Sequence, residues 1–169
     1  ATPIGNLGDI TLRVIEILKT VDIIAAEDTR NTLKLLNHFE IKTPMTSYHQ
    51  HNYAVKGPQL IEKLKAGENI ALVTDAGMPG ISDPGEDMAK RCREEGIPVT
   101  IAPGASAGIS ALVLSGMDAR RYVFEGFLPV DKKERAAVLK NLEKETRTTV
   151  FYEAPHRLTD TLAQLLKTA

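Results

Sequence analysis

Two short segments of this sequence place charges of both signs directly after an apolar, strand-like run. Glu27-Asp28-Thr29-Arg30 follows DIIAA, and Glu153-Ala154-Pro155-His156-Arg157 follows TTVFY. Carboxylate and imidazole groups can take a proton from a weakly acidic hydroxyl, so Glu153, Asp28 and His156 are the candidate general bases, Glu153 first. Guanidinium and ammonium groups bind phosphate without reading base sequence. Arg30, Lys132, Lys133, Arg135 and Arg157 are the candidates for that role. Plainer roles compete at both clusters: Asp28 as the cap of a helix beginning at Thr29, and Arg157 as an ion-pair partner of Glu153.

Three loops rich in glycine, proline and small residues carry a second kind of chemistry. They are Thr2-Pro3-Ile4-Gly5-Asn6, the stretch Thr74-Asp75-Ala76-Gly77-Met78-Pro79-Gly80, and Pro103-Gly104-Ala105-Ser106-Ala107-Gly108. Glycine lets a backbone approach a ligand closely and adopt dihedrals closed to other residues. Asp75 directly follows the apolar run NIALVT, where it could orient a ligand amine or hydroxyl, and Ser106 could cap its helix or bond a ligand. Turns need glycine and proline in any case; three such loops at one sheet edge favour a binding site.

Other chemistries find little support. There is no GxxxxGK[ST], and no GxGxxG follows a strand-like run. His38, His49, His51 and His156 form neither an HExxH nor a cysteine–histidine cluster, so no metal is expected. His49 and His51 share one face of YHQHN if it is extended, which leaves metal or RNA contact open beside a polar surface loop. Ser106 has no evident histidine partner in the sequence. Tyr48, Tyr53 and Phe127 are the aromatic candidates for stacking a base, with core packing the stronger expectation for Phe127.

The elements that must position these residues alternate between helical and strand patterns. Helices are expected over Asp9–Val21 with Asp9 as cap, over Thr29–Phe39 with Leu33, Leu35 and Leu36 buried, over Pro58–Lys65, over Glu86–Glu95 and over Ser106–Ser115. Strands are expected at Asp22–Ala26, Thr43–Tyr48, Asn69–Thr74 and Pro98–Ala102. After Gly116 come a strand at Tyr122–Phe127, a charged helix over Asp131–Thr146, a strand at Thr148–Tyr152 and a last helix from about His156. Such alternation implies an α/β architecture, a mainly parallel sheet with helices on both faces, and ligands at the carboxyl ends of its strands.

Composition sets the outer bounds. The chain has 169 residues, 43% hydrophobic and 25% charged, close to an ordinary globular protein. A single cysteine, Cys92, excludes a disulfide framework and fits a reducing, cytoplasmic location. No apolar run nears the roughly 20 residues that span a bilayer, and no stretch reads as a signal peptide. Net charge is −1, unevenly spread: residues 1–119 carry 11 basic against 15 acidic side chains, residues 120–169 carry 10 against 7. That shift sets an expected division into domains 1–117 and 118–169, the second one basic enough for phosphate contact. The opening Ala1-Thr2-Pro3-Ile4-Gly5-Asn6 reads as a loop after a strand and Ala169 falls within a helical pattern, so a piece of a larger protein is expected, its first strand missing and its second domain truncated.

Together the segments ATPIGNLGDITLR, AAEDTRNT, LVTDAGMPGISDPG, IAPGASA, FEGFLP and FYEAPHR resemble, in order and over essentially the whole chain, the ribosomal-RNA-methylating branch of the tetrapyrrole-methylase superfamily. The resemblance implies two α/β domains enclosing S-adenosylmethionine as methyl donor, a homodimer, and 2'-O-methylation of a cytidine ribose in small-subunit ribosomal RNA. It implies donor contacts from Ile4, from Asp75, Ala76, Gly77 and Gly80, from Ser106 and Ala107, and from Tyr152 and Glu153. Tetrapyrrole-methylating members carry GPGD-like and GGDP-like loops where this sequence has TPIGN and TDAGMP, a departure that favours RNA. The alternatives are the same fold methylating a tetrapyrrole, another small molecule or a protein side chain, or a non-catalytic module that binds donor or RNA.

Overall fold

The computed structural model describes residues 1–168, which fall into two compact units, residues 1–107 and 108–168. The division falls after Ala107, the first residue of the small-residue helix Ala107–Ser115, where the charge shift had suggested 117/118.

The first unit is built on a three-stranded parallel sheet: β1 (Ile23–Ala26) in the middle, β2 (Met45–Ser47) on one side and β3 (Ile70–Val73) on the other. Alternate residues of β1 serve opposite faces, as the two-residue period of a strand requires. Ile24 and Ala26 pack with Val14 and Leu18 of α1 (Leu12–Thr20), Leu36 of α2 (Thr29–His38), Ile41 and Val73. Ala25 faces the other way, into Tyr48, Leu60 and Ile61 of α3 (Tyr53–Lys65), and Met88 and Cys92 of α4 (Gly85–Glu94). A strand buried on both faces has no polar side to show, which explains the continuous apolar run of its sequence.

Several local expectations are corrected. The α1 cap is Thr11, whose side chain accepts from the Val14 N–H, while Asp9 ends a separate short 3-10 turn, Leu7–Asp9. Leu33 is 49% exposed, because Thr32, Leu35 and Leu36 form the inward i, i+3, i+4 face of α2. Pro98–Ala102 is not a strand. This stretch and β3 both line a mainly apolar hollow of about 650 Å³, and no ladder bridges it. What fixes the stretch is the Ala1 nitrogen donating to the Ala102 carbonyl at 2.9 Å and Arg13 donating to the Ile101 carbonyl at 3.2 Å.

The second unit pairs β4 (Tyr122–Phe127) with β5 (Thr148–Tyr152) in parallel, with a bulge between Phe124 and Gly126. Gly126 takes φ +71°, a left-handed conformation that suits glycine at such a bulge. Helix α5 (Ala107–Ser115) packs on β5 at Gly108, where a Cβ atom would lie 3.4 Å from both Val150 Cγ1 and the Tyr152 hydroxyl. Helix α6 (Lys132–Leu142) is capped by the Asp131 side chain, which accepts from the Lys133 and Glu134 N–H groups. A 3-10 turn at Pro155–Arg157 leads into α7 (Leu158–Thr168).

Candidate functional site

In the first unit, the three small-residue loops meet. Thr2 and Gly77 form an antiparallel bridge, and the Thr2 hydroxyl donates to the Thr74 carbonyl at 3.2 Å. Gly77 is buried with φ +85°, and a Cβ there would lie 3.3 Å from Ile4 Cγ2 and 3.4 Å from the Ala105 carbonyl oxygen. The first, second and third loops thus touch at one residue. Around it Ile4 and Ser106 are half-buried, and Asp75, Ala76 and Ala107 are exposed.

The second loop owes its shape to Asp83, a residue sequence reasoning passed over. Its carboxylate accepts the N–H of Gly80 on both oxygens at 2.9 Å, of Ile81 at 3.1 Å and of Gly85 at 2.7 Å. Gly80, at φ +84°, and Ser82, at φ +63°, make the left-handed turns that aim these N–H groups inward. The signal was the Asp-Pro-Gly spelling, which marks an aspartate bonding its own turn.

The ends of β1 and β3 are tied together by charged residues. The Asp28 N–H donates to Asp75 Oδ1 at 3.1 Å, and the Asp75 N–H donates to Glu27 Oε2 at 3.4 Å. Asp28 also caps α2 and grips Arg30 through both oxygens, at 3.0 and 2.6 Å. Those bonds from Arg30 hold the Asp28 carboxyl down at about 2, far from the proton affinity a general base needs at neutral pH. Glu27 is displaced the other way. Partial burial, seconded by the charges of Asp75 and Asp83, raises it above the usual carboxylate range against lowering contributions from the Asp75 N–H and His49. Glu27, Tyr53, Gln50, Ser82, Asp83 and Asp87 line an open hollow of about 440 Å³.

The aromatic candidates separate. Tyr48 is 1% exposed and donates to Asp87 at 2.8 Å, which removes it as a base-stacking surface; burial, chiefly, pushes its hydroxyl well above the ordinary tyrosine range. Tyr53 is exposed at the start of α3. Phe127, expected in the core, is 47% exposed and stands edge-on to Tyr152 with ring centroids 5.7 Å apart. His49 and His51 lie 6.0 Å apart ring to ring, and the His51 N–H donates to His49 Nδ1. Among the described residues, no group of three or more His, Cys, Asp or Glu is arranged to hold a metal ion, and no helix is long and apolar enough to cross a membrane. Gly104-Ala105-Ser106-Ala107-Gly108 does fit the hydrolase pattern GxSxG, but the residues before it form no strand, so the strand–turn–helix that exposes such a nucleophile is not built.

In the second unit, Tyr152 is fixed from three sides. Phe124 and Phe127 stand edge-on to its ring, and its hydroxyl accepts the Gly108 N–H at 3.2 Å. Glu153 follows with a side chain only 5% exposed. It accepts the Thr161 hydroxyl at 2.7 Å, the Ala154 N–H at 2.8 Å and Arg157 Nη2 at 2.8 Å. The Thr161 hydrogen bond, then the Ala154 N–H and Arg157, lower its proton affinity, the opposite of what a general base requires. Arg135 is likewise engaged, donating to Gln164 at 2.7 Å and to Thr161 at 2.9 Å. Lys132, Lys133 and His156 are exposed.

Comparison with known proteins places this geometry. The sequence profile of the tetrapyrrole (corrin/porphyrin) methylases matches residues 1–169. The chain is 56% identical over 165 residues to "Ribosomal RNA small subunit methyltransferase I" of Synechocystis, covering 98% of this chain and 59% of that protein. Proteins of the same name match from Bacillus subtilis (52%, covering 97% and 56%) and from Thermotoga maritima (48%, covering 98% and 74%). The chain thus spans about three fifths of the length of the first of these relatives. Among solved structures, a diphthine synthase superimposes with a TM-score of 0.76 at 14% identity, and the uroporphyrin-III-C-methyltransferase of Thermus thermophilus with 0.66 at 19%, each over 98% of this chain and 70% of the other. By profile, by sequence and by fold, this chain belongs to the tetrapyrrole methylase family.

Proposed function

We propose that this chain is part of an S-adenosylmethionine-dependent methyltransferase that acts, as a cytoplasmic homodimer, on the 2'-hydroxyl of a cytidine in small-subunit ribosomal RNA. The observation that carries the reading is the meeting of the three loops at Gly77 in a chain about half identical to proteins named for that activity. The residues present suit the donor. Backbone held open by left-handed glycines admits a flat adenosyl group, Ile4 offers an apolar surface, and the exposed Asp75 carboxylate can accept from ribose hydroxyls or an ammonium group. When bound, the sulfonium donor supplies the methyl group.

The chain's own residues bind and orient. Ile4, Asp75, Ala76, Gly77, Gly80, Ser106 and Ala107 shape the donor site, with Asp83 holding the second loop in place. Asp28 and Arg30 lock the end of β1, and Arg30, 86% exposed beyond that pair, can still reach a phosphate. Lys132 and Lys133 present ammonium groups at the start of α6. Glu153, held by three donors, acts as a positioning residue that ties the loop after β5 to α7.

The test is transfer of tritium from labelled donor by the full-length protein to small ribosomal subunits, to naked ribosomal RNA and to uroporphyrinogen. Label in the RNA, at a ribose that resists alkaline cleavage, is the expected result; label in the tetrapyrrole alone overturns the reading.

A further inference from the structure

The geometry points to Glu27 as the group that takes the proton from the ribose hydroxyl as it is methylated, an inference that rests on the function proposed above. Four observations converge on it. Glu27 directly follows β1, the central strand of the first unit, at the carboxyl edge where open parallel sheets bind ligands. Its Oε2 accepts the N–H of Asp75, so it adjoins the loop that shapes the donor site. It lines the 440 Å³ hollow beside Tyr53 and Gln50, a ring and an amide suited to receiving a nucleoside. Finally, among the described residues no Lys or Arg pairs with it: Arg30 is committed to Asp28, and Arg91 to Asp87.

The other carboxylates are disqualified by their partners. Asp28 is neutralised by Arg30 and Glu153 is held by Thr161, Ala154 and Arg157, whereas Glu27 keeps one oxygen without a donor. The groups facing Glu27 are Asp75 at the end of β3, Asp83 in the loop beyond it and His49 after β2, and Glu86, Asp87 and Lys90 of α4 line the same hollow. Partial burial, followed by two like charges, makes Glu27 hold a proton more tightly than an ordinary glutamate, the direction a general base requires. In the step itself, the ribose oxygen forms its bond to the methyl carbon as the carbon–sulfur bond breaks and sulfur keeps the electron pair. The hydroxyl proton passes to the Glu27 carboxylate and from there to water.

The experiment uses the full-length protein and small ribosomal subunits. Glu27→Gln should lower the single-turnover rate of methyl transfer by about 100-fold or more and abolish the acid limb of its pH profile, with donor affinity by calorimetry changed by less than about threefold. In the donor-free protein, carbon-13 NMR should show the Glu27 carboxyl titrating above its ordinary value and absent from the variant. Glu27→Asp, which keeps a shortened carboxylate, should retain the acid limb at a rate about tenfold or more below native, and it decides the matter should Glu27→Gln fail to fold. A rate for either variant that equals native, or an acid limb that survives in Glu27→Gln, overturns the assignment and leaves the methyltransferase reading intact. Native protein that methylates no ribosomal RNA overturns both.

Discussion

Thr2 and Gly77 exchange both of their backbone hydrogen bonds, the Thr2 N–H donating at 2.9 Å and the Gly77 N–H at 3.0 Å. Gly77→Ala forces a side chain into a left-handed residue and brings its Cβ to 3.3 Å from Ile4. It should cost about 1–2 kcal/mol of stability and weaken donor binding in the full-length protein. Gly80→Ala, with the same backbone hand but no neighbour nearer than 3.9 Å, should cost similar stability and weaken donor binding less than Gly77→Ala. Thermal unfolding and calorimetry separate the two, and equal donor affinities would contradict contact among the loops.

Asp83→Ala leaves the N–H groups of Gly80, Ile81 and Gly85 without their acceptor. A loss of about 2–3 kcal/mol in urea unfolding is expected. Asp83→Asn should recover little of it, because its amide N–H₂ would confront backbone donors. An asparagine variant as stable as the native protein would show that one oxygen suffices.

Glu27 supplies the pH dependence. Its proton affinity is raised on folding, so the folded chain binds that proton better than the unfolded one. Stability therefore falls as pH rises from the ordinary glutamate value, 4.5, through the raised folded value. Glu27→Gln, which cannot ionise, should melt higher than native at pH 7 and no higher below pH 4.5. Melting curves at the two pH values check this; a variant less stable than native at pH 7 would mean the charge is not disfavoured.

Tyr152→Phe removes the acceptor of the Gly108 N–H and keeps the ring between Phe124 and Phe127. About 1 kcal/mol should be lost, with faster hydrogen exchange at Gly108. Unchanged exchange there would rule out the bond as the anchor of α5.

Reversing Lys132 and Lys133 to glutamate should weaken RNA binding at every sequence and reduce the slope of log affinity against log salt by about 1.5 or more. Donor affinity should hold. If both affinities fall together, the variant has disturbed the fold rather than the RNA contact.

Much of the architecture was legible because strand signals need only a short window. Tyr122–Phe127 and Thr148–Tyr152 match the observed β4 and β5 residue for residue. Pro98–Ala102 failed because strand-forming composition says nothing about whether a partner lies alongside. Leu33 misled because a helix hides a threonine, Thr32, as readily as a leucine. The three loops and both charged clusters were visible as motifs. The division of labour inside those clusters was not, since Asp28 and Glu153 differ from Glu27 in which donors the fold brings to them.

Thr161 is 3% exposed, and its single hydroxyl accepts from Arg135 while donating to Glu153. One oxygen thus joins α6, the loop after β5 and α7 in a relay with a fixed sense of proton donation. A lineage that alters any of these three side chains strands a buried polar partner, so divergence at positions 135, 153 and 161 should come as a joint exchange. Such linked substitution is a signature by which chains sharing this wiring could be told from those that share only the fold.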